Sequence, residues 1–159
     1  MNDAHLHLII NHAPLFLAFA GLLVAVWGWA RKVEQAWPIA YGLWVVGSLS
    51  AGLAYISGGR AEDVVRDLPG VVRSTIEVHE DAAKIALIVA IILGVSSIAA
   101  WRTEPILKLQ GIAHALTFTF ALITLGTMGY AASLGGAIHH PEVAPSFQAP
   151  APIDNRNAD

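Results

Sequence analysis

Four apolar segments, each long enough to cross a lipid bilayer, constrain this chain more than any other feature of its sequence. They cover about residues 8–30, 37–57, 79–101 and 111–134. A helix needs roughly 20 apolar residues to cross a hydrocarbon core of about 30 Å. In lipid, only helices and closed barrels satisfy their own backbone hydrogen bonds. The sequence therefore predicts an all-α integral membrane protein, a four-helix bundle that spans the membrane four times.

The composition fits a chain whose main solvent is lipid. Of its 159 residues, 55% are hydrophobic and only 13% are charged, whereas about 25% are charged in a typical soluble domain. The four spans and their short connections use nearly all of residues 1–143, which we predict to form one transmembrane domain. Residues 144–159 are rich in Pro, Ala and Asn and are predicted to be a disordered tail.

Composition also excludes several kinds of chemistry. The chain has no cysteine, which excludes disulfides, thiolate metal sites, iron–sulfur clusters and covalently attached c-type haem. The formal charge of −3 is small, and no basic stripe with interleaved aromatic residues suggests a nucleic-acid partner. No nucleophile and base stand at a recognisable spacing, so we predict no enzymatic activity for the chain on its own.

The charges at the span ends predict an orientation in the membrane. Arg31, Lys32, Arg102 and Lys108 lie in the short loops that follow the first and third spans. Short loops rich in Lys and Arg stay in the cytoplasm, so both termini are predicted to lie on the outer side. Four tryptophans cluster at the proposed cytoplasmic boundary, as an interfacial aromatic belt would: Trp27, Trp29, Trp37 and Trp101.

The two halves of the chain resemble each other. Each half has a histidine near the start of its first span, His12 or His79, and closes that span with Trp and Arg. Each second span ends with Tyr followed by a glycine pair, which we interpret as a helix C-cap. The His-to-Arg spacings differ by about one helical turn. The halves are therefore predicted to be two similar helical hairpins related by a pseudo-twofold axis along the membrane normal.

His12 and His79 are the main candidates for cofactor-binding residues, because ionisable groups at membrane depth are costly and mark functional sites. The helix face of His79 carries small residues, which let helices approach closely: Ala83, Ala86, Ala90, Gly94 and Ser97. The face of His12 carries large ones, predicted to pack inward: Phe16, Phe19, Leu23 and Trp27. Glycines of the second and fourth spans are predicted to leave space near the axis for tight helix packing or for a flat cofactor: Gly42, Gly47, Gly52, Gly126 and Gly129.

Such a pair of histidines predicts a haem b or a transition-metal ion as cofactor. Two opposed imidazoles would ligate a haem, whereas imidazoles with a carboxylate suit Zn, Cu, Ni or Fe. Glu62 and His139 occupy matching positions in the two halves, so the predicted metal ligands are His12, His79, His139 and Glu62. The alternative is that His12 and His79 are interfacial residues bonded to a loop. For His114, which has no histidine at its own depth, the structural role is preferred.

Three short motifs resemble those of small four-span bacterial inner-membrane proteins that have no assigned activity. The motifs are Ser57-Gly58-Gly59-Arg60-Ala61-Glu62, His79-Glu80 and the stretch from Gly135 to Glu142. The layout is also similar to that of four-helix b-type membrane cytochromes, although a histidine pair near each membrane face is missing here. The resemblance implies a location in the bacterial inner membrane. The outer side, on which the loop charges place both termini, would then be the periplasmic side.

Three functions remain open from the sequence. The leading hypothesis is a haem- or metal-binding subunit for electron transfer in a respiratory complex. The alternative is a non-catalytic accessory subunit that docks other subunits of a membrane complex. The third is a transporter of a small ion or metal, which would need polar groups at mid-membrane. The threonines of the fourth span are the main polar set there, and they can bond to carbonyls of their own helix.

Overall fold

The computed structural model describes residues 2–103 and 107–140, and these residues fold into five helices. They are α1 (Asp3–Ile10), α2 (Ala13–Arg31), α3 (Ala36–Val65), α4 (Arg73–Thr103) and α5 (Leu107–His139). A two-residue break separates α1 from α2, and Pro14 lies in the first turn of α2, where its missing N–H leaves no helical bond unmade. The predicted tail, residues 144–159, lies outside the described residues.

Four helical stretches are long and apolar enough to cross a membrane. They are Asp3–Arg31, which joins α1 and α2, then Ala36–Val65, Arg73–Arg102 and Leu109–Ile138, each of 29 or 30 residues. Large apolar side chains cover their outer surfaces, and Phe16, Leu49 and Val95 are each more than 60% exposed. Lipid solvates such a surface, whereas water would drive it to aggregate. The prediction of a four-span, all-α membrane bundle is confirmed.

The second and fourth spans continue past the glycine pairs at which we predicted them to end. Gly58 and Gly59 lie inside α3, and Gly135 and Gly136 lie inside α5. Among the described residues, positive φ angles occur only at Lys32 and Gly70. The C-cap interpretation of the glycine pairs was therefore wrong, because all four glycines keep a helical backbone. Gly58 and Gly135 each contact a histidine ring of a neighbouring helix instead.

The helices pack as an antiparallel bundle. α3 contacts both α2 and α4, and α5 contacts both α4 and α2, so the two hairpins meet along two sides, while α1 packs on α3. The start of α1 and the end of α5 lie at the same end of the bundle, named the terminal end here. Arg31 and Arg102 lie at the opposite end, named the basic end.

The two hairpins bury equivalent positions. Every buried residue of α2 has a buried counterpart in α4 whose residue number is higher by 72. In order, Pro14, Ala18, Gly21, Leu22, Ala25 and Gly28 correspond to Ala86, Ala90, Leu93, Gly94, Ser97 and Ala100. At a second constant offset, Ala40, Trp44, Gly47 and Ala51 of α3 correspond to Thr117, Ala121, Thr124 and Met128 of α5, all buried. This correspondence is what two hairpins related by a pseudo-twofold axis require.

The core differs between the two ends of the bundle. Towards the basic end it is built on the fully buried Tyr41 and Trp44. The indole Nε1 of Trp44 donates a hydrogen bond of 3.2 Å to the carbonyl of Ala18, so the buried polar end of this ring has a partner. Towards the terminal end, alanines dominate the core, together with Met128: Ala51, Ala82, Ala86, Ala90 and Ala131.

Of the two predicted roles for the glycines, tight helix packing applies at Gly47, whereas Gly126 and Gly129 lie away from the axis. Nothing lies within 4 Å of a Cβ built on Gly126 or Gly129, and both residues are exposed on the outside of α5. Gly47 is buried, but a Cβ there would lie 3.2 Å from Cβ of Leu17. The closest approach is at Gly21, where a Cβ would overlap the indole ring of Trp44. The buried glycines therefore serve close contact between helices.

We predict that Gly21→Ala destabilises the bundle by about 1–3 kcal/mol, the usual range for overpacking a filled core. The added methyl group would displace the Trp44 indole and its bond to Ala18. Gly129→Ala is the matched control, because its methyl group meets open space and alanine favours a helix over glycine by up to about 1 kcal/mol. Thermal unfolding in detergent compares the two, and equal melting temperatures would contradict the proposed contact.

Candidate functional site

His79 lies between α4 and α5 near the terminal end. It is partly buried, and its ring Nδ1 is 2.9 Å from the carbonyl oxygen of Ala131. The ring rests on Gly135, where a Cβ would come within 3.0 Å of the ring carbon Cε1. Further along the same face of α4, Ala86, Ala90, Gly94 and Ser97 are buried. The prediction that this small-residue face packs inward is confirmed.

His7 has the same arrangement between α1 and α3. Its Nδ1 is 3.1 Å from the carbonyl oxygen of Ala54 and 3.1 Å from the hydroxyl of Ser57. The ring rests on Gly58, where a Cβ would lie 3.2 Å from Cε1. In both hairpins an imidazole therefore sits over a helical glycine and bonds to the carbonyl one turn before that glycine. Without a side chain on the glycine, the ring can approach the helix backbone closely.

The counterpart of His79 is therefore His7, not His12 as we predicted. The residue numbers of His7 and His79 differ by 72, as do those of the equivalent buried residues of α2 and α4. By the same difference, the residue equivalent to His12 is Lys84. The sequence contained a signal for this register. His7 precedes Trp29 by the same number of residues as His79 precedes Trp101, but we had aligned the halves on their arginines instead.

His12 lies in the break between α1 and α2 and is exposed. Its ring stacks on Phe16, with 6.4 Å between the centroids. The prediction that the His12 face of α2 packs inward was wrong, because Phe16, Phe19, Leu23 and Trp27 are all exposed. α2 instead turns its small residues inward, where they permit close helix contact, and lipid can solvate the large apolar side chains.

Three histidines gather at the terminal end of the bundle. His7 is close enough to both His79 and His12 for their charges to interact. The side-chain oxygen of Asn11, next to His12, is buried and has no hydrogen-bond partner within the part of the chain that the structure describes. The terminal end therefore combines two anchored imidazoles, a third exposed one and a polar atom without a protein partner.

Glu62 and His139 are the other two predicted metal ligands. Glu62 is only partly buried, and its carboxylate is 4.0 Å from the guanidinium of Arg66, one turn further along α3. The backbone of His139 closes α5, but its side chain lies outside the described residues. Within residues 2–103 and 107–140, no group of three or more His, Asp or Glu side chains is arranged to hold a metal ion.

The hydrogen bonds of His7 and His79 fix what these rings can do chemically. A carbonyl oxygen only accepts hydrogen bonds, so each Nδ1 carries the proton and each neutral ring keeps its lone pair on Nε2. Ligating histidines usually have this arrangement, with the second nitrogen held by a carbonyl or carboxylate. A metal ion held by protein alone needs three or more ligands, whereas haem iron needs only one or two axial ones. Two such imidazoles therefore suit a haem better than a bare ion.

His114, near the basic end, is partly buried, and its ring atom Nε2 is fully buried. Its ring stacks on Trp37, with 3.7 Å between centroids and 4° between planes. Trp37 and His114 are equivalent positions of the two hairpins, so they meet at the pseudo-twofold axis. Trp37 is only 7% exposed, and our assignment of this residue to the interfacial belt was wrong. The other tryptophans of the predicted belt, Trp27, Trp29 and Trp101, are exposed.

The threonines of α5 divide into bonded and unbonded residues. The hydroxyls of Thr117, Thr119 and Thr127 donate to carbonyls of their own helix, as predicted. The hydroxyl of Thr124 is buried and has no partner among the described residues. The polar row of the fourth span is therefore largely satisfied by its own backbone, which weakens the case for a continuous polar path through the bundle.

Comparisons of the chain with protein families, with curated proteins and with solved structures find no match. The likeness to small four-span inner-membrane proteins and to b-type cytochromes therefore rests on short motifs and layout alone. The function has to be argued from the geometry of the histidines.

We predict that the two glycines of each pair respond differently to alanine. A methyl group on Gly58 or Gly135 would press on an imidazole ring and strain its bond to the carbonyl, whereas Gly59 and Gly136 have open space. Gly135→Ala should therefore be less stable than Gly136→Ala by about 1 kcal/mol, close to the net value of one hydrogen bond. The same order is expected for Gly58→Ala and Gly59→Ala. Thermal unfolding checks this, and identical shifts within each pair would place the rings elsewhere.

Proposed function

We propose that this protein is a membrane-embedded haem b carrier for electron transfer, with His7 and His79 as the axial ligands. The observation that carries the proposal is the matched anchoring of the two imidazoles. The two rings belong to different hairpins. Each donates a hydrogen bond from Nδ1 to a carbonyl of the neighbouring helix and keeps the lone pair of Nε2 free to bind a metal. His7 replaces His12 of the sequence-based ligand pair.

The surroundings of the pair support a flat cofactor. The side chains close to these histidines along the helices are small, such as Ala54, Ala82 and Ala131. Bound haem supplies reversible one-electron oxidation and reduction. The chain's own contribution is to orient the two rings, to raise the basicity of Nε2 through the Nδ1 hydrogen bond and to keep water from the cofactor, all of which influence its potential. Glu62 and His139 of the sequence-based ligand set are kept in the proposal as supporting residues.

The proposal includes a location. We place the protein in a bacterial inner membrane as part of a respiratory or related complex, with both termini on the periplasmic side. Arg31, Lys32 and Arg102 are exposed at the basic end, and such residues favour the cytoplasmic side. The histidine pair would then lie near the periplasmic face, where electrons could pass to or from a partner subunit.

A second candidate function is that of a non-catalytic accessory subunit. It is favoured by the fact that both imidazoles already have hydrogen-bond partners on a neighbouring helix. Hydrogen bonds between transmembrane helices stabilise their association, so the two histidines would then act only as locks between helices. In that case no cofactor would be expected, and the protein would bind other membrane subunits through its apolar surface.

Absorption spectroscopy of the purified protein distinguishes these functions. We expect the oxidised and dithionite-reduced spectra of a low-spin, bis-histidine haem after expression in haem-sufficient cells or reconstitution with haem. His7→Ala and His79→Ala should each convert the haem to a high-spin form or lose it. His12→Ala and His5→Ala are the controls and should keep the low-spin spectrum.

Other outcomes of the same experiment have clear meanings. A folded protein that stays colourless after reconstitution, and contains no metal by elemental analysis, would exclude the carrier and support the accessory subunit. Loss of the low-spin spectrum in His12→Ala, with the spectrum retained in His7→Ala, would restore His12 as the ligand.

A further inference from the structure

Two polar atoms near the basic end are buried without a partner. The hydroxyl of Ser97 on α4 and Nε2 of His114 on α5 have no hydrogen-bond partner among the described residues, and Ser97 is 0% exposed. Serine hydroxyls in helices usually donate to a carbonyl of the preceding turn, as Ser96 does to Leu93. Buried polar atoms in proteins are nearly always hydrogen-bonded, to protein or to ordered water, so each of these two atoms needs an explanation.

Ser97 and His114 lie at the same level of the bundle. α4 and α5 run antiparallel, and the contacts of His79 with Ala131 and Gly135 set their register. Both helices rise about 1.5 Å per residue. Ser97 lies 18 residues after His79 on α4. Going back by the same number along α5 leads from Ala131 to residue 113 and from Gly135 to residue 117. His114 falls within this interval.

Aromatic and polar groups surround the ring of His114. The ring lies face to face with Trp37, and an aromatic face stabilises a cationic neighbour. Tyr41 is the next ring, with 6.2 Å between its centroid and that of His114. On its own helix, the hydroxyl of Thr117 donates to the carbonyl of His114. Glu34, in the loop between α2 and α3, is close enough for its charge to interact with His114.

From these contacts we propose that Ser97 and His114 share an internal water molecule, through which His114 exchanges protons with the solution at the basic end. A buried water needs at least two polar partners, and the Ser97 hydroxyl and Nε2 of His114 provide them. In each exchange a proton passes between water and Nε2, so only N–H and O–H bonds form and break. This site is separate from the His7 and His79 pair and does not require a cofactor.

Thr124 provides an internal comparison. Its hydroxyl is also buried and without a partner among the described residues. Counted in the same way from Ala131 along α5 and from His79 along α4, Thr124 is level with Ala86, which has no polar side chain. A single hydroxyl does not hold a water molecule, so the Thr124 site stays dry.

Nuclear magnetic resonance of the full chain in lipid nanodiscs tests the proposal, with water itself as the probe. In protein labelled with ¹⁵N-histidine, we expect magnetisation transfer from water to the ring of His114, whose signal is assigned with His114→Phe. Ser97→Ala should reduce this transfer several-fold. Ser96→Ala is the matched control and should leave it unchanged, because the hydroxyl of Ser96 bonds to its own helix.

Thermal unfolding of the same variants gives an independent readout. If the Ser97 hydroxyl holds water, Ser97→Ala removes a made hydrogen bond and lowers the melting temperature. If that hydroxyl is dry, Ser97→Ala removes an unpaired polar atom and raises the melting temperature, as Thr124→Val should. A rise for Ser97→Ala, or a wild-type His114 ring that receives no magnetisation from water, would overturn the proposal.

Discussion

The structure depends on the close approach of helices at positions with no side chain larger than a methyl group. Lipid solvates apolar side chains as well as a protein core does, so the hydrophobic effect adds little to helix association inside a bilayer. What remains is contact between well-fitted surfaces and hydrogen bonding between helices. Gly21 under the indole of Trp44 and the alanines of α4 provide the first. The bonds of Trp44, His7 and His79 to carbonyls of neighbouring helices provide the second.

The repeat explains why the two anchored histidines form a pair. Each hairpin places an imidazole on a glycine near the terminal end, and the pseudo-twofold axis relates the two contacts. A cofactor bound between these two equivalent imidazoles would contact both hairpins in the same way. The repeat by itself gives both rings an equivalent glycine, an equivalent carbonyl and the same bonded ring nitrogen, whether the two histidines hold a cofactor or only lock helices together.

The repeat is broken towards the basic end. Trp37 and Ala25 of the first hairpin correspond to His114 and Ser97 of the second. One hairpin thus places aromatic and aliphatic groups where the other places polar ones. A polar atom costs free energy in a low-dielectric interior unless it has a partner. Function is therefore proposed at the two hydrogen-bonded histidines, and at Ser97 and His114, whose Oγ and Nε2 atoms have no hydrogen-bond partner among the described residues.

Composition and segment length were enough to predict the number of spans and the helical class, and matched residues in the two halves predicted the hairpin repeat. A helix must satisfy its own backbone in lipid whatever its neighbours are, so these features follow from local sequence. The direction of the two histidine-bearing helix faces was predicted correctly for one of them only. His79 was placed inward through its row of small residues, but the equally apolar face of His12 was assigned inward although it faces outward.

The sequence by itself thus determined where the chain crosses the membrane, and the tertiary structure decided how each helix is rotated about its axis. In water, polarity distinguishes the inner face of a helix from the outer one. In lipid both faces are apolar, and only the fit between neighbouring helices selects the face that turns inward. That fit brought His7 rather than His12 into the bundle and put Trp37 against His114.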